Sequence, residues 1–347
     1  MPISIVVGGQ FGSEGKGKVA HYVARVDGAR AVVRVGGPNS GHTVYSDDGK
    51  KYIFQHLPTA AILPDVLCVL AAGSYVDVAR LLLEVDLCKL EPERLRIDPN
   101  AVVVTDQDRV DEHLVGLRAG IGSTLTGTGA AVLNRISRTR PITFAKDIAE
   151  LRPYLCEAVE CLDGLLRRGE RVVVEGTQGY GLSVLHTPYY PYATSRDTTA
   201  AGFLSEVGLS PLDVDDVVMV IRAFPIRVPG NSGPLPQEST WEAVTRASGS
   251  CEQLEELTSV TRSVRRVANF DPQIVKSAIR ANKPTRLMLN HVDYFDRTGK
   301  RLTGNVSERM LVAVDAIERE IGVSMDYLGT SPTHLSNKSK VAALRRA

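Results

Sequence analysis

The feature that most constrains this chain is a series of short, uninterrupted apolar runs separated by helical patterns. Strands are predicted at residues 3–9, 31–37, 66–73, 171–176, 216–224 and 286–292. Helices are predicted at residues 15–27, 76–89, 145–168, 239–247 and 306–320. Strands that are apolar at every position are typical of a parallel sheet covered by helices on both faces. The pattern therefore predicts an α/β fold: one large, doubly wound, mostly parallel sheet with ligands at the carboxyl ends of its strands.

The domain organisation follows from the length and from the lack of linkers in the sequence. A chain of 347 residues, 43% of them hydrophobic, can form one large α/β domain or two smaller ones. No repeat, low-complexity tract or Ser/Gly linker divides it, so we predict a single domain over residues 1–347. Three polar stretches, 118–141, 225–238 and 258–271, are expected to form long loops at the active site, because long loops in compact domains usually carry function.

Charge, cysteine content and hydropathy exclude several classes of protein. The chain has 41 basic and 40 acidic residues, so it lacks the charge excess typical of nucleic-acid or membrane-surface binding. Its five cysteines form no C-x-x-C pair, which favours reduced thiols over a metal site or disulfides. No apolar run approaches the length of about 18 residues that spans a membrane. These features predict a cytoplasmic protein that binds neither nucleic acid nor membranes.

The first loop, "VVGGQFGSEGKGK" at residues 6–18, predicts a phosphate site in a P-loop-like fold. A strand, then glycines, then a helix that begins near Gly15 presents backbone N–H groups and a helix N-terminus to an anion, and Lys16 adds a positive charge. The Walker pattern G-x-x-x-x-G-K-[ST] nevertheless fails twice, because five residues separate Gly9 from Gly15 and Gly17 follows the lysine. A purely structural glycine turn is the alternative.

Two further polar segments each follow a predicted strand. In "GGPNSGHTV" (36–44), His42 could donate to an anionic leaving oxygen, although a histidine after glycines is more often structural. In "VVVEGTQGYGLSVLHTPYYPYATSRDTTAAG" (172–202), Gln178 could contact a base edge and Thr194 a phosphate. The tyrosines of this run could stack on a ligand, but core packing is the simpler fate for most of them.

Two segments nearer the end of the chain carry groups suited to small polar ligands. "TSVTRSVRRVANFD" (258–271) contains Arg262, Arg265 and Arg266, which suit a small carboxylate, although a solvated basic face is the alternative. "LNHVD" (289–293) ends a late strand, and its aspartate could accept from N1–H and N2–H of a guanine ring. One aspartate after a strand is a weak indication by itself.

Taken in order along residues 3–335, these motifs closely resemble the adenylosuccinate synthetase family. The motifs that carry the resemblance are "GGQFGSEGKGK", "GGPNSGHT", "EGTQGYGL…YYPYATSRDTT", "SVTRSVRR" and "LNHVD". That family couples aspartate to a 6-oxopurine nucleotide, using a nucleoside triphosphate and Mg²⁺. The resemblance implies that a base removes the purine N1 proton, O6 attacks the γ-phosphate, and aspartate displaces the 6-phosphoryl group. Most of the rate would come from charge-assisted contacts to the transferring group.

The resemblance also implies the residues of the site. The catalytic residues would be Ser13, Lys16, His42 and Gln178. The triphosphate would contact Gly12, Gly15, Lys16, Gly17, Gly41, His42, Thr43, Asn290, Asp293 and Ser331. The nucleoside monophosphate would contact Ser13, Asn39, Thr124, Arg138, Gln178, Thr194 and Ser263. The substrate aspartate would contact Val260, Thr261 and Arg265, and Mg²⁺ would contact Ser13 and Gly41.

Three of these residues carry more specific roles by resemblance. His42 would stabilise the transferring phosphoryl oxygen, and the carbonyl of Gly41 would ligate Mg²⁺. Arg138, in "LNRISR", matches the arginine that this family lends to its neighbour's phosphate site. The resemblance therefore implies a homodimer.

The chain departs from the family pattern first at Ser13, where the family's "GDEGKGK" has its catalytic aspartate. A serine hydroxyl is a poor base near pH 7 and a weaker Mg²⁺ ligand than a carboxylate. It is also shorter, which leaves room beside C2 of the purine for the 2-amino group of a guanine. Size alone does not decide the substrate, because carboxylates can accept from guanine N1–H and N2–H together. The acceptor of the N1 proton stays open among Glu14, a Mg²⁺-bound water, the incoming aspartate and Ser13 as a relay.

Two further departures concern the sugar and the donor base. Ser263 stands where the family's "TGRRRR" carries an arginine close to the ribose 2′-hydroxyl, and losing that donor suits a 2′-deoxy sugar. Asp293 persists, but the family's lysine in "TKLD" is His291, and "STGP" has become "GTSP" at 329–332. Ser331 in place of glycine would reshape a guanine-selective pocket, so ATP (or dATP) is favoured over GTP as the donor.

Together these departures favour the phage-type branch of the family, the 2-amino-2′-deoxyadenylosuccinate synthetases. We predict a carbon–nitrogen ligase that joins L-aspartate to C6 of dGMP, with Mg²⁺, and that acts in the host cytoplasm if it is phage-encoded. The first alternative is an ordinary adenylosuccinate synthetase, which uses IMP and GTP. The second is a nucleotide-binding protein that has lost catalysis, although the intact Lys16, His42, Gln178 and Arg265 count against it.

Overall fold

The computed structural model describes residues 2–258, 262–298 and 306–340 and contains a nine-stranded central sheet. From one edge to the other, its strands are Leu335–Asn337, Tyr327–Gly329, Arg286–Asn290, Val214–Arg222, Ile3–Gly8, Val172–Glu175, Ala31–Arg34, Leu67–Leu70 and Leu95–Ile97. Neighbouring strands are parallel throughout, except that the edge strand Leu335–Asn337 is antiparallel to its neighbour. The prediction of a large, mostly parallel sheet is therefore confirmed.

Helices cover both faces of this sheet. They are Lys16–Val26, Val78–Cys88, Asp106–Leu114, Leu117–Ile121, Thr128–Ser137, Ala158–Arg167, Ala200–Val207, Trp241–Ser248, Pro272–Asn282 and Glu308–Ile321. In the central strand, Val6 packs with helix Lys16–Val26, whereas Val7 packs in a second apolar cluster with helix Ala158–Arg167. Successive side chains of a strand point to opposite faces, so both positions must be apolar. This double burial explains the uninterrupted apolar runs.

Shorter strands lie outside the central sheet. They are the hairpin His42–Tyr45 with Lys51–Phe54, the parallel pair Tyr75–Val76 and Val102–Val103, and the antiparallel sheet of Ile226–Arg227, Arg266–Ala268 and Glu238–Ser239. The last of these sheets joins the stretches 225–238 and 258–271, which were predicted as separate loops. The two stretches therefore lie side by side.

The stretch 118–141 is not a continuous loop, contrary to the prediction. Most of it is helical, in Leu117–Ile121 and Thr128–Ser137. The carboxylate of Glu112 accepts from two backbone N–H groups at the start of the second helix, at 2.9 and 2.7 Å. A side chain from helix Asp106–Leu114 thus supplies the cap, which the local Ser/Thr/Gly composition does not reveal.

The predicted helix 145–168 is wrong over its first half. Short 3₁₀ turns occupy Ala145–Asp147 and Ala149–Tyr154, and the α-helix runs only over Ala158–Arg167. Pro153 accounts for the difference, since proline lacks an N–H and disfavours a helical conformation at the residue before it. Five helices were not predicted: Asp106–Leu114, Leu117–Ile121, Thr128–Ser137, Ala200–Val207 and Pro272–Asn282.

Three other expectations from the sequence can be followed in the structure. The central sheet takes its strands from Ile3 to Asn337, and the assignment of one domain to the whole chain stays a prediction. All five cysteines lie among the described residues, and each is a free thiol. In the same part of the chain, every helix is too short or too polar to cross a membrane.

Candidate active site

The phosphate loop, residues 9–16, connects the central strand Ile3–Gly8 to helix Lys16–Val26 at the carboxyl edge of the sheet. This edge is where doubly wound sheets bind ligands, and a helix N-terminus there favours anions. A Cβ at Gly17 would lie 2.8 Å from the Cβ of His42. A larger residue at position 17 would therefore clash with His42, which explains why glycine stands where the Walker pattern has a serine or threonine. Gly41 and Thr43, which were also predicted to contact the triphosphate, are the neighbours of His42 in the chain. The same Cβ would lie 3.2 Å from the carbonyl oxygen of Thr43, so this segment runs beside the start of the helix.

Glu14 and Lys16 form a buried ion pair within the loop, with Nζ 2.6 Å from Oε2. The other oxygen of Glu14 accepts from the backbone N–H groups of Gly12 at 2.8 Å and of Gln10 at 3.2 Å. Glu14 thus closes the loop on itself and holds Lys16 at the helix N-terminus. Because this carboxylate is fully buried and both its oxygens are engaged, it is badly placed to remove a purine N1 proton in this conformation.

Ser13 lies exposed at the tip of the loop with a φ of 56°. A left-handed backbone is uncommon for a serine and costs on the order of 1 kcal/mol. Its carbonyl accepts from Nη1 of Arg222 at 2.9 Å, and the fully buried Arg222 also pairs with the carboxylate of Glu256. Tertiary contacts therefore hold the backbone of the loop at Ser13. The side chain of Ser13, which replaces the aspartate of the family, is exposed.

His42 opens the hairpin strand next to the phosphate loop, in a buried cluster with two charged groups. Its Nδ1 lies 2.5 Å from Oε1 of Glu175, and Nη1 of Arg34 lies 2.7 Å from Nδ1 and 3.1 Å from Nε2. Burial, followed by the charge of Arg34, lowers the pKa of His42 to about 3, so the ring is neutral near pH 7. Sequence reasoning missed Arg34 and Glu175. A charge inside an apolar strand, as in "AVVRV" and "VVVEG", was the signal that could have found them.

The predicted triphosphate residues Asn290 and Ser331 meet beside the same helix. Nδ2 of Asn290 donates to the carbonyl of Glu14 at 2.7 Å. Nζ of Lys18 donates to the carbonyl of Ser331 at 3.0 Å, and burial lowers the pKa of Lys18 to about 8. These contacts attach the last strands of the sheet to the phosphate loop.

Two contacts involve residues at and near the positions predicted to meet the donor base. The carboxylate of Asp293 is paired with the guanidinium of Arg297, and burial raises the pKa of Asp293 although this arginine opposes it. A Cβ at Gly329 would lie 1.9 Å from Oδ1 of Asn290, so the serine of the family's "STGP" has no room there. Asn290 and Gly329 are therefore a matched pair, in which the larger side chain at one position requires glycine at the other.

Gln178 and Thr194, predicted to hold the monophosphate, follow the strand Val172–Glu175. Gln178 has a φ of 57°, and a Cβ at Gly12 would lie 3.6 Å from its Oε1. The side chain of Gln178 therefore reaches the phosphate loop. The backbone N–H of Thr194 donates to the carbonyl of Leu182 at 2.8 Å, which folds the Thr-rich segment back on itself.

Asn39 and Thr124, also predicted to hold the monophosphate, lie on segments that touch one another. A Cβ at Gly37 would lie 2.8 Å from Cγ2 of Thr128, so the turn with Asn39 abuts the start of the helix that follows Thr124. Both predicted side chains are partly exposed. The structure thus brings these two segments to one edge of the sheet.

The predicted aspartate site can be followed only in part. Val260 and Thr261 lie outside the described residues. Nε of Arg265 donates to the carbonyl of Leu257 at 3.3 Å, and burial lowers the pKa of this guanidinium. Ser263 is partly exposed on the same segment.

The three arginines of the segment 258–271 have different environments. Arg266 forms two hydrogen bonds to the carboxylate of Glu238, at 2.6 and 2.7 Å, and so belongs to the small antiparallel sheet. Arg262 is exposed, with a φ of 55°. Arg265 is the most enclosed of the three and lies beside the Arg222 and Glu256 pair. Of the three, Arg265 has the surroundings expected for a group that binds a small carboxylate.

Arg138 caps the end of helix Thr128–Ser137, with a φ of 54° and an exposed side chain. Large apolar side chains on this helix, and on or at the end of the helix that contacts it, are also exposed: Val110, Leu114, Val115, Leu133 and Ile136. Leu114 is 80% exposed and Ile136 is 68% exposed, which is unusual for large aliphatic residues of packed helices.

The predicted Mg²⁺ ligands, Ser13 and Gly41, contribute neutral oxygens. Within residues 2–258, 262–298 and 306–340, no three His, Cys, Asp or Glu side chains converge as metal ligands. In nucleotide enzymes Mg²⁺ takes one or two protein oxygens and completes its shell with phosphates and water. The residues therefore fit an ion that is held mainly by the substrate phosphates.

Comparisons with known proteins agree on one family. The sequence profile of adenylosuccinate synthetase matches residues 5–143 and 142–303. The adenylosuccinate synthetases of Methanococcus aeolicus and Methanocaldococcus jannaschii are each 37% identical, over 96% and 95% of this chain and 97% and 94% of theirs. Cyanophage S-2L succinoaminodeoxyadenylate synthetase (PurZ), solved with dGMP and with dATP as an energy donor, has a TM-score of 0.83 at 30% identity, over 99% of this chain and 97% of its own. Plasmodium falciparum adenylosuccinate synthetase has a TM-score of 0.83 at 19% identity, over 96% and 98% of the two chains, which bears on the fold alone.

The fold and the family match together define a nucleotide-binding ligase. The chain belongs to the adenylosuccinate synthetase family, as its motifs predicted, and is a carbon–nitrogen ligase. Members of this family bind a nucleoside triphosphate, a nucleoside monophosphate and aspartate, and they generally depend on Mg²⁺.

Proposed function

We propose that this ligase acts on dGMP and joins L-aspartate to C6, giving 2-amino-2′-deoxyadenylosuccinate, phosphate and a nucleoside diphosphate. The observation that carries this proposal is Ser13, a short neutral side chain at the exposed tip of the phosphate loop where the family has an aspartate. It leaves space beside C2 of the purine for an amino group. The cyanophage S-2L relative, which was solved with dGMP, supports the same substrate class.

The sugar preference follows from Ser263. A buried arginine that is built to contact a ribose 2′-hydroxyl is left unpaired when that hydroxyl is missing, and this penalty selects ribonucleotides. Ser263 removes the arginine and so removes the penalty. We therefore expect 2′-deoxy substrates to be used at least as well as ribonucleotides.

The phosphoryl-transfer step uses Lys16, His42 and Gln178. Lys16 exchanges its ion pair with Glu14 for the phosphates of the donor, and Gln178 orients the purine over the loop. His42 lies beside the first turn of the helix, where it can donate to the transferring phosphoryl oxygen once the ring is protonated. Mg²⁺, held by Ser13 and Gly41 together with phosphate oxygens, would neutralise the charge that develops on the triphosphate.

The donor is an adenine nucleotide, ATP or dATP. Guanine recognition by Asp293 needs both carboxylate oxygens for N1–H and N2–H, and Arg297 already takes one of them. Among the described residues, Oδ1 of Asn290 is buried without a hydrogen-bond partner, and it can accept from the exocyclic amino group of adenine. The dATP bound by the cyanophage relative supports this choice.

The active form is a homodimer in which Arg138 reaches the phosphate of the partner's monophosphate. The exposed apolar side chains on the helix that Arg138 ends and on the helix in contact with it support this assembly, because such side chains can be buried between two copies of the chain across a two-fold axis. The aspartate substrate would then bind in the same subunit, at Arg265 and at the loop residues Val260 and Thr261.

A second candidate is an ordinary adenylosuccinate synthetase that uses IMP and GTP. The 37% identity to the two archaeal adenylosuccinate synthetases favours it. Under this alternative, Ser13 would be a tolerated change at the catalytic position and not a sign of a different purine.

Aspartate-dependent phosphate release with IMP, GMP, dIMP and dGMP, each with ATP and with GTP, separates the candidates. We expect dGMP with ATP to turn over fastest. Faster turnover of IMP would show that the second candidate is right. Nucleotide binding without aspartate-dependent phosphate release from any purine would show a protein that has lost catalysis.

A further inference from the structure

The turn at residues 122–128, which contains Thr124, a residue predicted to hold the monophosphate, leads into the helix Thr128–Ser137. Two positions of this turn have a left-handed backbone: Leu125 has a φ of 56° and Gly127 has a φ of 81°. A left-handed conformation is unfavourable for leucine, because its Cβ comes close to the backbone carbonyl. Contacts from outside the turn must therefore hold this shape.

Glu112, on the helix Asp106–Leu114, supplies such contacts at the end of the turn. Its buried carboxylate accepts from the backbone N–H groups of Gly127 at 2.9 Å, of Gly129 at 2.7 Å and of Ala130 at 3.4 Å. A Cβ at Gly129 would lie only 3.0 Å from Oε1 of Glu112, so glycine at this position lets the backbone approach the carboxylate closely. Glu112 thus fixes the point at which the turn becomes a helix.

The same carboxylate decides how an anion can bind at this turn. Backbone N–H groups at the N-terminus of a helix favour anions, and a phosphate would ordinarily accept from them. Here Glu112 already accepts from three of these groups, and its negative charge opposes a phosphate at the same place. A phosphate that binds beside the turn is therefore left to side-chain donors.

Three threonine hydroxyls form a row along the turn. Oγ1 of Thr126 lies 3.3 Å from Oγ1 of Thr124 and 3.3 Å from Oγ1 of Thr128. Thr128 is buried, and it stands between the two glycines whose N–H groups bind Glu112, whereas Thr124 is partly exposed. Because each hydroxyl carries one proton, Thr128 can donate to Thr126 and Thr126 to Thr124. The proton of Thr124 is then available to a phosphate oxygen.

We propose that Glu112 is the positioning residue for the phosphate of the nucleoside monophosphate: by holding the start of the helix, it aligns the threonine row so that Thr124 donates to a phosphate oxygen. This inference rests on the proposed contact between Thr124 and the monophosphate. It adds two residues to that contact, because Thr126 and Thr128 orient the hydroxyl that touches the substrate. Glu112 touches no substrate atom and acts only through the row.

Glu112→Gln tests this role with two ligands that differ only in the phosphate, dGMP and deoxyguanosine. Glutamine keeps the size of the side chain, but its NH₂ group cannot accept from a backbone N–H, so the start of the helix loses part of its anchor. We expect the dissociation constant of dGMP, measured by calorimetry, to rise by about tenfold or more, the loss typical of one hydrogen bond to a charged group. That of deoxyguanosine should change by less than about twofold, because this ligand lacks the phosphate. In turnover the KM of dGMP should rise likewise, with little change in kcat or in the KM of aspartate.

A double-mutant cycle with Thr124→Ala tests whether Glu112 acts through the threonine row. Once the hydroxyl of Thr124 is missing, Glu112→Gln should raise the dissociation constant of dGMP little further. Additive effects of the two substitutions would contradict the inference, because a general distortion of the fold would weaken binding with or without this hydroxyl.

Asp98→Asn is the matched control. Asp98 is also buried, and its Oδ2 accepts from the backbone N–H of Ala158 at 3.2 Å, at the start of the helix Ala158–Arg167, which contains none of the predicted site residues. Its loss should lower stability and leave the dissociation constant of dGMP unchanged. If Glu112→Gln does not fold, Gly129→Ala displaces the same carboxylate, keeps every charge and favours the helix. This variant should weaken the binding of dGMP by a smaller factor and leave that of deoxyguanosine unchanged.

The outcomes separate the inference from the proposed function. An unchanged dissociation constant of dGMP in Glu112→Gln, an equal loss for deoxyguanosine, or an equal loss in Asp98→Asn would overturn the inference. A wild-type enzyme that prefers IMP to dGMP would reject the proposed function, and the comparison is then made with IMP and inosine. A loss confined to IMP would still support the positioning role, and an equal loss for inosine would overturn it.

Discussion

The donor side and the acceptor side of the active site differ in how their side chains are held. On the donor side, Lys16, His42 and Asn290 are 2%, 8% and 1% exposed, and each makes a polar contact within the chain. On the acceptor side, Ser13 and Arg138 are exposed. The residues proposed for phosphoryl transfer therefore belong to a preorganised network, while those proposed to select the purine and to hold its phosphate are exposed.

The departures from the family pattern follow this division. Ser13 replaces an aspartate at an exposed position, where a single change disturbs no buried partner. On the donor side, Gly329 replaces the serine of the family's "STGP", and a side chain at this position would clash with Asn290. If the proposed roles are right, we expect one substitution on the acceptor side to shift substrate choice, whereas a change on the donor side should need matched substitutions.

The largest effect is expected for Lys16→Met on the donor side. Turnover should fall by roughly 1,000-fold, because the positive charge beside the phosphates is lost. The variant should also lose about 3–5 kcal/mol of stability, since Glu14 is left buried and unpaired. Steady-state kinetics and urea unfolding measure the two effects. The double variant Glu14→Gln/Lys16→Met should regain stability and stay inactive, and recovered turnover would mean that Lys16 acts only through the fold.

Arg138→Ala on the acceptor side should leave stability nearly unchanged. It should raise the KM of dGMP by roughly 10- to 100-fold, which corresponds to the binding free energy lost with one charge-assisted hydrogen bond to a phosphate. Mixing this variant with Lys16→Met tests the dimer, because a mixed pair contains one site with an intact Lys16 and a donated Arg138. At a dGMP concentration near the KM of the wild-type enzyme, where each preparation alone is nearly inactive, activity should rise on mixing. If mixing restores nothing, Arg138 does not act across a subunit boundary.

Ser13→Asp should shift the preference from dGMP toward IMP by about tenfold, because the carboxylate returns a base and fills the space beside C2. Aspartate tolerates the left-handed backbone of this position, so the loop should keep its shape. Competition between the two purines in one reaction gives the selectivity directly. Ser13→Asn is the control of equal size, and an equal shift in both variants would assign the effect to volume and not to the carboxylate.

The sequence predicted those parts of the structure that depend on local pattern. Continuous apolar runs located the long strands of the central sheet, and the strand–glycine–helix order located the phosphate loop. Contacts between segments that are far apart in the chain could not be predicted from the sequence pattern. Glu112 caps a helix that looks like a polar loop, and Arg222 fixes the backbone of Ser13 from 209 residues away. Arg34 and Glu175 meet His42 only because their strands are neighbours in the sheet.

The smallest effect concerns pH and the neutral histidines of the donor side. Burial, followed by the charge of a neighbouring arginine, lowers the pKa of both His42 and His291 to about 3. In the unfolded chain these rings have a pKa of about 6.5. Below pH 6.5 the unfolded state therefore takes up protons that the folded state does not, and stability falls by roughly 1 kcal/mol per pH unit for each ring.

Urea unfolding at pH 6.5 and pH 5 measures this loss. Although burial opposes it, His42 and Arg34 lower the pKa of Glu175, and its contribution to stability is lost only below its ordinary value of 4.5. Glu175 therefore does not contribute to the loss in this pH window, and the difference between the wild-type enzyme and a His42 variant reports His42. His42→Asn should lose roughly 1–2 kcal/mol less than the wild-type enzyme between the two pH values. Equal losses would mean that the folded enzyme already protonates His42 in this range. The ring of His42 would then already be charged before the triphosphate binds. The donor side would differ from the acceptor side only in the burial of its side chains.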